Sequence, residues 1–412
     1  MEVVHERCAG MDISKDDAKV CVRTPSTRAG FYHNEVTTYG ATTNEVLRLR
    51  ADLLAARVSV VVMEATGDYW KPFFFVLQEQ LNVELVNAKQ AKNIPGRKSD
   101  VSDARWLAEL AAHGLLRASF VPEETQRQLR DLTRTRKHYA EEQNREYSRL
   151  EKNLEDAGIK LSSVASSLTL VSVRSILEAM VTGQRDPQVL ASLVHPSMRK
   201  KTLPLVEALT GRFTDHHAFM VKTHLGTIDY LGKAITGLET RIEELMTPFR
   251  GARDAIMDIP GIAATVADGI IAEIGADMDV FPSPGQLASW AGVAPGQNES
   301  AGRIKSTKTT HGNHYLRGYL GIAVLSISRT KNTYLGVKYR RIASRRGKLK
   351  AVVAIERTLL VIIWNMLHNG VAYTELGADY YQKLNPQRTI DRAIKQLTKL
   401  GLNVSITPTA AA

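Results

Sequence analysis

Short apolar segments of strand length alternate with helical segments through the first third of the chain, and this alternation constrains the fold more than any other feature. Residues 8–13 and 18–23 are predicted strands joined by a hairpin turn at 15–17, and residues 30–36 form a possible third strand. The β-branched, continuously apolar run 58–63 is typical of a central strand covered on both faces. These segments predict a sheet built around an N-terminal hairpin.

Helical periodicity fills the intervals between the later strands. Apolar residues recur at three and four positions through residues 43–57 and 100–113, and a further helix is predicted at 69–80 before a strand at 83–86. A hairpin followed by alternating helices and strands predicts an α/β unit with a mixed sheet covered by helices.

Strand signals are absent between residues 123 and 250, where long charged helices are predicted. Residues 125–157 form one such helix, and residues 160–212 are predicted to be short helices broken by glycine and proline. A second long helix carries an apolar seam with steps of three and four, formed by Ile228, Leu231, Ile235, Leu238, Ile242 and Leu245. The seam fits a helical hairpin within one chain as well as it fits a dimerisation coiled coil.

The C-terminal part is predicted to be mainly helical. Residues 257–262 resemble a helix-hairpin-helix turn, in which backbone N–H groups approach a phosphate, although a plain Pro-Gly turn is equally consistent. Residues 292–314 are predicted to be an exposed loop anchored by apolar helices at 316–328 and 350–369. The expected division is therefore an α/β domain, a coiled-coil spacer with its insertion, a third domain and a peripheral tail, at residues 1–122, 123–250, 251–372 and 373–412.

The positive charge of the chain is concentrated in one stretch. The formal net charge is +11, yet no Asp or Glu occurs between Glu299 and Glu356, an interval that holds 13 basic residues. Without these residues the chain has 41 basic and 43 acidic side chains and is almost neutral. A basic surface confined to one stretch favours a polyanionic partner, above all nucleic acid, over an ordinary solvated face.

Other features of the composition bound the environment. Two cysteines, Cys8 and Cys21, are too few for a disulfide framework or a cysteine-based zinc cluster, and they fit a reducing compartment. The N-terminus lacks the apolar stretch of a signal peptide, and no run of the ~18 apolar residues of a membrane span is evident. We therefore expect a soluble cytoplasmic protein with no membrane partner.

Four carboxylates stand at the ends of predicted elements. Asp12 lies in the first strand, Glu64 follows the central apolar strand, and Asp100 and Asp103 share one side of a helix start. Each alone is more often a cap or turn residue. Together they provide the oxygen ligands that Mg²⁺ or Mn²⁺ prefers, and two such ions can bind a phosphoryl group from both sides.

The segments MDISK at 11–15, MEATG at 63–67 and KSDVSDA at 98–104 resemble the three blocks of the DEDD-type transposases of insertion-sequence family one-hundred-and-ten. The C-terminal segments IPGI at 259–262, LASWAGVAP at 287–295, NESAG at 298–302 and GNHYLR at 312–317 resemble the later blocks of that family. The resemblance covers roughly residues 8 to 370. It implies a RuvC-like domain with a ribonuclease H fold, in which the four acids form the metal site.

The resemblance further implies that Ser300 is a nucleophile that attacks DNA. Arg303 and Lys305 follow closely and could hold a phosphate, with Lys308 and Arg317 as further contacts to DNA. A loop serine that only satisfies its own backbone is the plain alternative, and the other candidate hydroxyls are those of Ser306, Thr307, Thr309 and Thr310. The negative charge of Glu299 beside the proposed nucleophile has no explanation.

Members of this family are guided by a structured RNA that pairs with donor and target DNA. If this chain is similar in that respect, its candidate RNA-binding surface is the basic start of the first long helix, with Arg127, Arg130, Arg134, Arg136 and Lys137. Glu141, Glu142 and Glu146 follow at helical spacing, so a solvated coiled-coil face is equally consistent. Nothing in the sequence independently indicates an RNA guide.

The function predicted from these features is DNA recombination by a transposase, acting on double-stranded donor and target DNA in a bacterial or archaeal cell. A composite site made of one subunit's carboxylates and another's Ser300 would need a homodimer, and joining two DNAs suggests a homotetramer. The alternative is a metal-only endonuclease of the Holliday-junction type, with water as nucleophile. A purely architectural DNA-binding protein is disfavoured because all four acids are present.

Overall fold

The structure is a computed structural model, and it describes residues 2–28, 30–65, 67–87, 103–296, 298–306 and 308–405. By internal packing the chain divides into two compact units, Met1–Pro122 and Glu123–Ala412.

The N-terminal unit contains a mixed five-stranded sheet. Its strands are β1 (Cys8–Ile13), β2 (Asp17–Pro25), β3 (Tyr32–Gly40), β4 (Val60–Glu64) and β5 (Val83–Val86). The strand order is β3-β2-β1-β4-β5; β1, β2 and β3 are antiparallel neighbours, whereas β1, β4 and β5 run parallel. The predicted mixed sheet is confirmed, although the third strand starts two residues later and extends further than the sequence indicated.

Helices cover both faces of this sheet, because side chains alternate along β1 and β4 and both faces are apolar. On one face, Met11 and Met63 pack against α1 (Thr43–Ala55) and α2 (Trp70–Leu77). On the other face, Cys8 and Val62 pack against Leu107 of α3 (Asp103–Ala112). The predicted helix at 100–113 is present from Asp103 onward within the described residues.

The remainder of the chain is mainly helical. In chain order, the helices before the hairpin are α4 (Glu124–Asp156), α5 (Leu161–Val164), α6 (Val171–Val181), α7 (Pro187–Ser192), α8 (Thr202–Ala208), α9 (Asp215–Leu245), α10 (Arg250–Met257), α11 (Ala264–Ile274) and α12 (Pro284–Trp290), with short 3₁₀ turns at Pro196–Lys201 and Thr247–Phe249. A small hairpin follows, with strands β6 (Asn298–Ser300) and β7 (Arg303–Ser306). The last helices are α13 (His314–Arg329), α14 (Tyr334–Arg346), α15 (Lys348–Asn369), α16 (Tyr380–Leu384) and α17 (Pro386–Lys399).

The two longest helices, α4 and α9, pack against each other over much of their length. Leu150 and Leu154 of α4 share a core with Leu225 and Ile228 of α9, and the short helices of the predicted insertion close over this core. The seam is therefore used within one chain, although Leu238 and some of its neighbours stay half-buried.

The turn at residues 257–262 joins α10 to α11. Gly261 has a φ of +94°, and a Cβ there would lie 2.7 Å from Cγ1 of Ile327 and 3.0 Å from the carbonyl oxygen of Ala323. The glycine thus lets the turn pack closely against α13. This contact explains why position 261 is glycine, and it is consistent with a helix-hairpin-helix turn as well as with a plain Pro-Gly turn.

α15 is long and apolar enough to cross a membrane by length and composition, with 39% of the relevant window buried. The stretch is not an uninterrupted apolar run, because it includes Glu356 and Arg357. Its buried residues, including Ile355, Leu359 and Ile363, lie in a helix that packs against α12, α13 and α14. A core helix passes the same test of length and composition.

Candidate functional site

Two of the predicted carboxylates lie at the carboxyl ends of neighbouring parallel strands. β1 and β4 are in register up to the pair Met11 and Met63, so the next residues along the two strands are Asp12 and Glu64. Alternation puts both acids on the face covered by α3, since Met11 and Met63 belong to the core of the opposite face. Asp12 is half-buried and Glu64 is 9% exposed.

α3 brings the third acid towards the same end of the sheet. The thiol of Cys8 donates to the carbonyl oxygen of Ala108 at 3.2 Å, while a Cβ on Gly10 would lie 2.3 Å from the carbonyl oxygen of Ala104. The helix therefore runs antiparallel to β1, and its first turn, which contains Asp103, approaches the end of the strand where Asp12 lies. Only glycine allows this close contact between helix and strand.

The local electrostatics at this end of the sheet include a cation that the sequence did not single out. Lys19 of β2 is the register partner of Asp12 in the antiparallel pair, so the two side chains share one face at neighbouring positions. Lys19 is exposed. The hairpin that sets this register is fixed by Ser14, whose hydroxyl donates to the side-chain oxygen of Asp17 at 2.7 Å. Counting back from the predicted turn would have placed Lys19 opposite Asp12.

The carboxylates do not form a complete ligand set in the described part of the chain. Asp100 lies outside the described residues, as does Thr307, one of the alternative hydroxyls. Within the described residues, no group of three or more His, Cys, Asp or Glu side chains is close enough to hold a metal ion. The structure thus places Asp12, Glu64 and Asp103 at one end and one face of the sheet.

The two cysteines near this face are not candidate ligands or nucleophiles. Both are free and buried. Burial raises the pKa of the Cys8 thiol to about 11, and burial likewise raises the pKa of Cys21. Thiols with a raised pKa stay protonated at neutral pH, whereas the thiolate is the form that binds metals and attacks electrophiles.

Ser300 lies at the end of β6, directly before a two-residue hairpin turn. The strand pairs it with Arg303, and the intervening Ala301 and Gly302 have φ values of +51° and +74°. Positive φ at both central residues is the signature of a type I′ turn, whose twist matches that of paired strands. The segment predicted to be an open loop therefore contains a small β-hairpin, and Ser300 occupies a defined backbone position in it.

The base of this hairpin loop is held closed by backbone contacts, and we call this region the neck. The N–H of Gly296 donates to the carbonyl oxygen of Lys308 at 3.2 Å. A Cβ on Gly312 would lie 2.2 Å from the nitrogen of Gly292, and one on Gly292 would lie 2.7 Å from the nitrogen of Gly312. Two glycines are needed for such close approach of two backbones.

A buried ion cluster fixes the far end of the neck. Glu273 of α11 is fully buried and accepts hydrogen bonds from Arg134 at 2.7 and 2.8 Å and from the side-chain amide of Asn313 at 2.6 Å. Asn313 also caps α13, accepting from the N–H groups of Tyr315 and Leu316. Glu273 thereby ties the end of the loop to both α4 and α11.

Two family models of transposases match the chain. One, described as a transposase of the DEDD and IS110 type, matches residues 9–159, and the other, described as the transposase IS116/IS110/IS902 family, matches residues 253–340. A similar curated protein is the insertion element IS900 uncharacterized 42 kDa protein of Mycobacterium paratuberculosis. It is 26% identical over 299 residues, which cover 67% of this chain and 73% of the relative. The chain belongs to the IS110 family of transposases.

Membership of the IS110 family makes the chain a DNA cleavage and transfer enzyme. The DEDD match includes all four predicted acids, and its mixed five-stranded sheet is of the ribonuclease H type. The second match includes Ser300 and the hairpin that carries it. Both parts of the chain that the resemblance identified are thus matched by transposase models.

The predicted cationic residues of this IS110 transposase differ in how accessible they are. Arg303, Lys305 and Lys308 are exposed on the hairpin loop. Arg317 is half-buried. Burial raises the pKa of Glu356, and the positive charge of Arg317 offsets only part of that increase. Arg317 is therefore close to an interior carboxylate.

The proposed RNA-binding face of α4 is largely engaged within the chain. Arg134 binds Glu273 bidentately, and Arg130 donates to the carbonyl oxygen of Ala272 at 3.1 Å. Arg136 pairs with Glu239, and Lys137 pairs with Glu141. Arg127 is half-buried. Arg130 and Arg134 thus have structural partners on α11.

Proposed function

We propose that this transposase cuts and rejoins DNA through Ser300. The serine oxygen would attack a phosphorus atom, form a phosphoserine ester and release one sugar oxygen, while the serine hydroxyl loses a proton and the leaving oxygen gains one. Attack by a sugar hydroxyl of the second DNA strand would reverse these changes. The phosphodiester bond is conserved in this exchange, so rejoining needs no external energy source.

The observation that carries the proposal is the placement of Ser300 in a hairpin with a fixed neck. A nucleophile must be held close to its target atom and correctly oriented. Ser300 precedes a type I′ turn, and two exposed cations, Arg303 and Lys305, follow on β7. No acid occurs from there to Glu356, so the surroundings favour the approach of a phosphate.

We further propose that Asp12, Glu64, Asp100 and Asp103 hold Mg²⁺ or Mn²⁺. All four supply carboxylate oxygens, the donors that these hard cations prefer, and the three described acids lie at one end and on one face of the sheet. A bound ion would neutralise charge that develops on a phosphate. Lys19, which lies beside Asp12, would contact the DNA strand whose phosphate the bound ion contacts.

The carboxylates and Ser300 lie in separate parts of the chain, and we propose that a working site combines them from different subunits. This requires at least a homodimer, and a homotetramer would hold donor and target DNA together. Mixing an Asp12→Ala subunit with a Ser300→Ala subunit tests the arrangement, because partial recovery of recombination is expected only if each mutant supplies what the other lacks. No recovery in mixed oligomers would contradict it.

A structured guide RNA is proposed on the family resemblance, and the protein would act in the cytoplasm at the nucleoid of a bacterial or archaeal cell. We also propose that the chain has four parts, with boundaries after residues 122, 250 and 372. If the purified protein recombined DNA at full rate after ribonuclease treatment, with no RNA co-purifying, the guide would be excluded.

Covalent capture of end-labelled DNA tests the nucleophile. Wild-type protein and a Ser306→Ala control are expected to give a protein–DNA adduct that survives denaturation, whereas Ser300→Ala is expected to give none. An adduct with Ser300→Ala would refute the serine assignment. DNA cleavage by Ser300→Ala without any adduct would instead support the metal-only endonuclease with water as nucleophile.

A further inference from the structure

An open groove of about 1090 Å³ crosses the surface of the C-terminal unit next to the neck. Its floor is one face of α15, with Val353, Ala354 and Val361, and one wall contains Tyr334 of α14. The volume is at or above the upper end of the ~300–1,000 Å³ range of small-molecule sites. The groove is therefore large enough for a stretch of polymer.

The groove combines an apolar floor with a basic rim. Its lining includes Lys308, Lys338, Lys350 and Arg357, and no Asp or Glu belongs to the described lining. Glu375, which lies between the lining residues Thr374 and Leu376, accepts hydrogen bonds from the N–H of Tyr334 and the hydroxyl of Tyr373. This charge distribution is complementary to an anionic chain that also carries apolar groups.

Two tyrosines of the lining, Tyr334 and Tyr373, contribute aromatic rings to the groove. Tyr334 lies near-parallel to Tyr381, with ring centroids 5.8 Å apart, and Arg341 lies over the Tyr381 ring at 4.4 Å. Proteins that bind single strands without strict sequence preference combine such rings with a positively charged groove. A duplex keeps its bases stacked inside, so it has nothing to place on an apolar floor.

From these observations we propose that the groove binds an unpaired single strand of DNA, with bases on the apolar floor and phosphates at the four rim cations. The inference rests on the proposed function in one respect, since it assigns the strand that Ser300 would attack. The neck residue Lys308 lines the groove, and so does Pro295, which directly precedes Gly296 of the neck. Ser300 is five residues from Pro295, at most about 17 Å of extended chain.

Two other occupants are less compatible with the charges. The amphipathic helix α17, from this chain or a second copy, would present Ile390 and Leu397 to the floor. However, α17 carries four basic residues and one acidic residue, so it would be repelled by the basic rim. DNA has the opposite charge.

The test fills the groove without changing its charge. Ala354→Trp places a large side chain on the floor of the groove. The matched control, Leu325→Trp, replaces an exposed apolar residue of α13 outside the groove. Fluorescence anisotropy would follow binding of a labelled oligothymidine of about 12 nucleotides, a duplex of equal length and an oligouridine. Thermal melting of each variant would establish that it is folded.

We expect Ala354→Trp to weaken oligothymidine binding by about tenfold or more while duplex binding changes by less than about twofold, and the control to leave both unchanged. A second variant, Arg357→Gln, is expected to reduce the salt dependence of single-strand binding by about one phosphate contact. Unchanged oligothymidine binding by both variants would overturn the proposal, as would clearly tighter binding of oligouridine. A switch from dimer to monomer with unaltered DNA binding would assign the groove to a second copy.

These measurements involve no cleavage, so they separate the groove from the proposed chemistry. Ser300→Ala is expected to bind oligothymidine like the wild type even though it forms no adduct. If Ser300→Ala retained the adduct, the nucleophile assignment would fail while the groove result would still be readable.

Discussion

The buried carboxylate of Glu273 provides a quantitative test of how the C-terminal unit holds its hairpin loop. Its two oxygens accept three hydrogen bonds of 2.6 to 2.8 Å from Arg134 and Asn313, and Arg130 lies at 3.5 Å. The side chains of Arg130 and Arg134 are 13% and 31% exposed. Glu273→Ala would remove the buried carboxylate that pairs with both guanidinium groups.

The magnitude follows from the cost of leaving a buried charge unpaired. Removing one partner of a buried ion pair costs about 3–5 kcal/mol. The arginines do not avoid this cost by losing a proton, because a guanidinium group is not deprotonated in proteins at neutral pH. In Arg134, burial acts to lower the pKa, but the hydrogen bonds to Glu273 outweigh it and the pKa is raised. A loss of about 3–5 kcal/mol is a large fraction of the about 5–15 kcal/mol of a typical domain.

Scanning calorimetry of the whole chain would measure the effect. We expect Glu273→Ala to lower the melting temperature of the C-terminal unit by about 6–20 °C, from about 2–4 °C per kcal/mol. Glu239→Ala is the control, since the Glu239–Arg136 pair is half-exposed and should contribute less than about 1 kcal/mol. Arg134→Met in the Glu273→Ala background should recover part of the loss. Equal, small effects of Glu273→Ala and Glu239→Ala would refute the reasoning.

Three further predictions concern the sheet, the neck and a buried acid. Gly10→Ala would push α3 away from β1 and cost about 1–3 kcal/mol in thermal melting, whereas Gly226→Ala in α9, where a Cβ meets nothing within 4 Å, should be neutral or stabilising; equal effects would contradict this contact. Gly312→Ala should open the neck and reduce covalent DNA capture more than it reduces DNA binding, and unchanged capture would show that the neck is dispensable. Burial raises the pKa of Asp268 from 3.8 to about 6, so the native state binds its proton more tightly and wild-type stability falls as pH rises from about 4 to 6. Asp268→Asn should lack this decrease in melting scans, and parallel curves for both proteins would refute it.

The N-terminal sheet could be predicted from the sequence because its information is local. β1 and β4 are short apolar runs, and the alternation along them is enough to place Asp12 and Glu64 at their ends on one face. The approach of α3 also has a local cause, the absence of a side chain at Gly10. What the pattern did not provide was Lys19, although the hairpin turn fixes its position opposite Asp12.

The C-terminal unit was harder to predict because its determinants are distant in sequence. α14 was missed because only Leu335 and Gly336 are buried in it, so the helix has almost no apolar stripe. The β6–β7 hairpin was predicted to be an exposed loop because its type I′ turn needs a positive φ at position 301. The residue there is alanine, which rarely adopts positive φ, so no turn signal was evident in the sequence. Arg130 and Arg134 resembled a free basic face because their partner, Glu273, lies about 140 residues further along the chain.

Because the sheet depends on local sequence and the neck on distant contacts, the two halves of the proposed site should differ in their tolerance to substitution. Metal ligands on adjacent strands need only the register of the sheet, which many apolar sequences would preserve. The neck requires glycine at both 292 and 312, because each backbone lies within 3 Å of where the other's Cβ would be. It also needs the Glu273 cluster to secure Asn313. We therefore expect substitutions of Gly292 and Gly312 to reduce covalent capture of DNA, whereas conservative apolar changes in β1 and β4 should leave it intact.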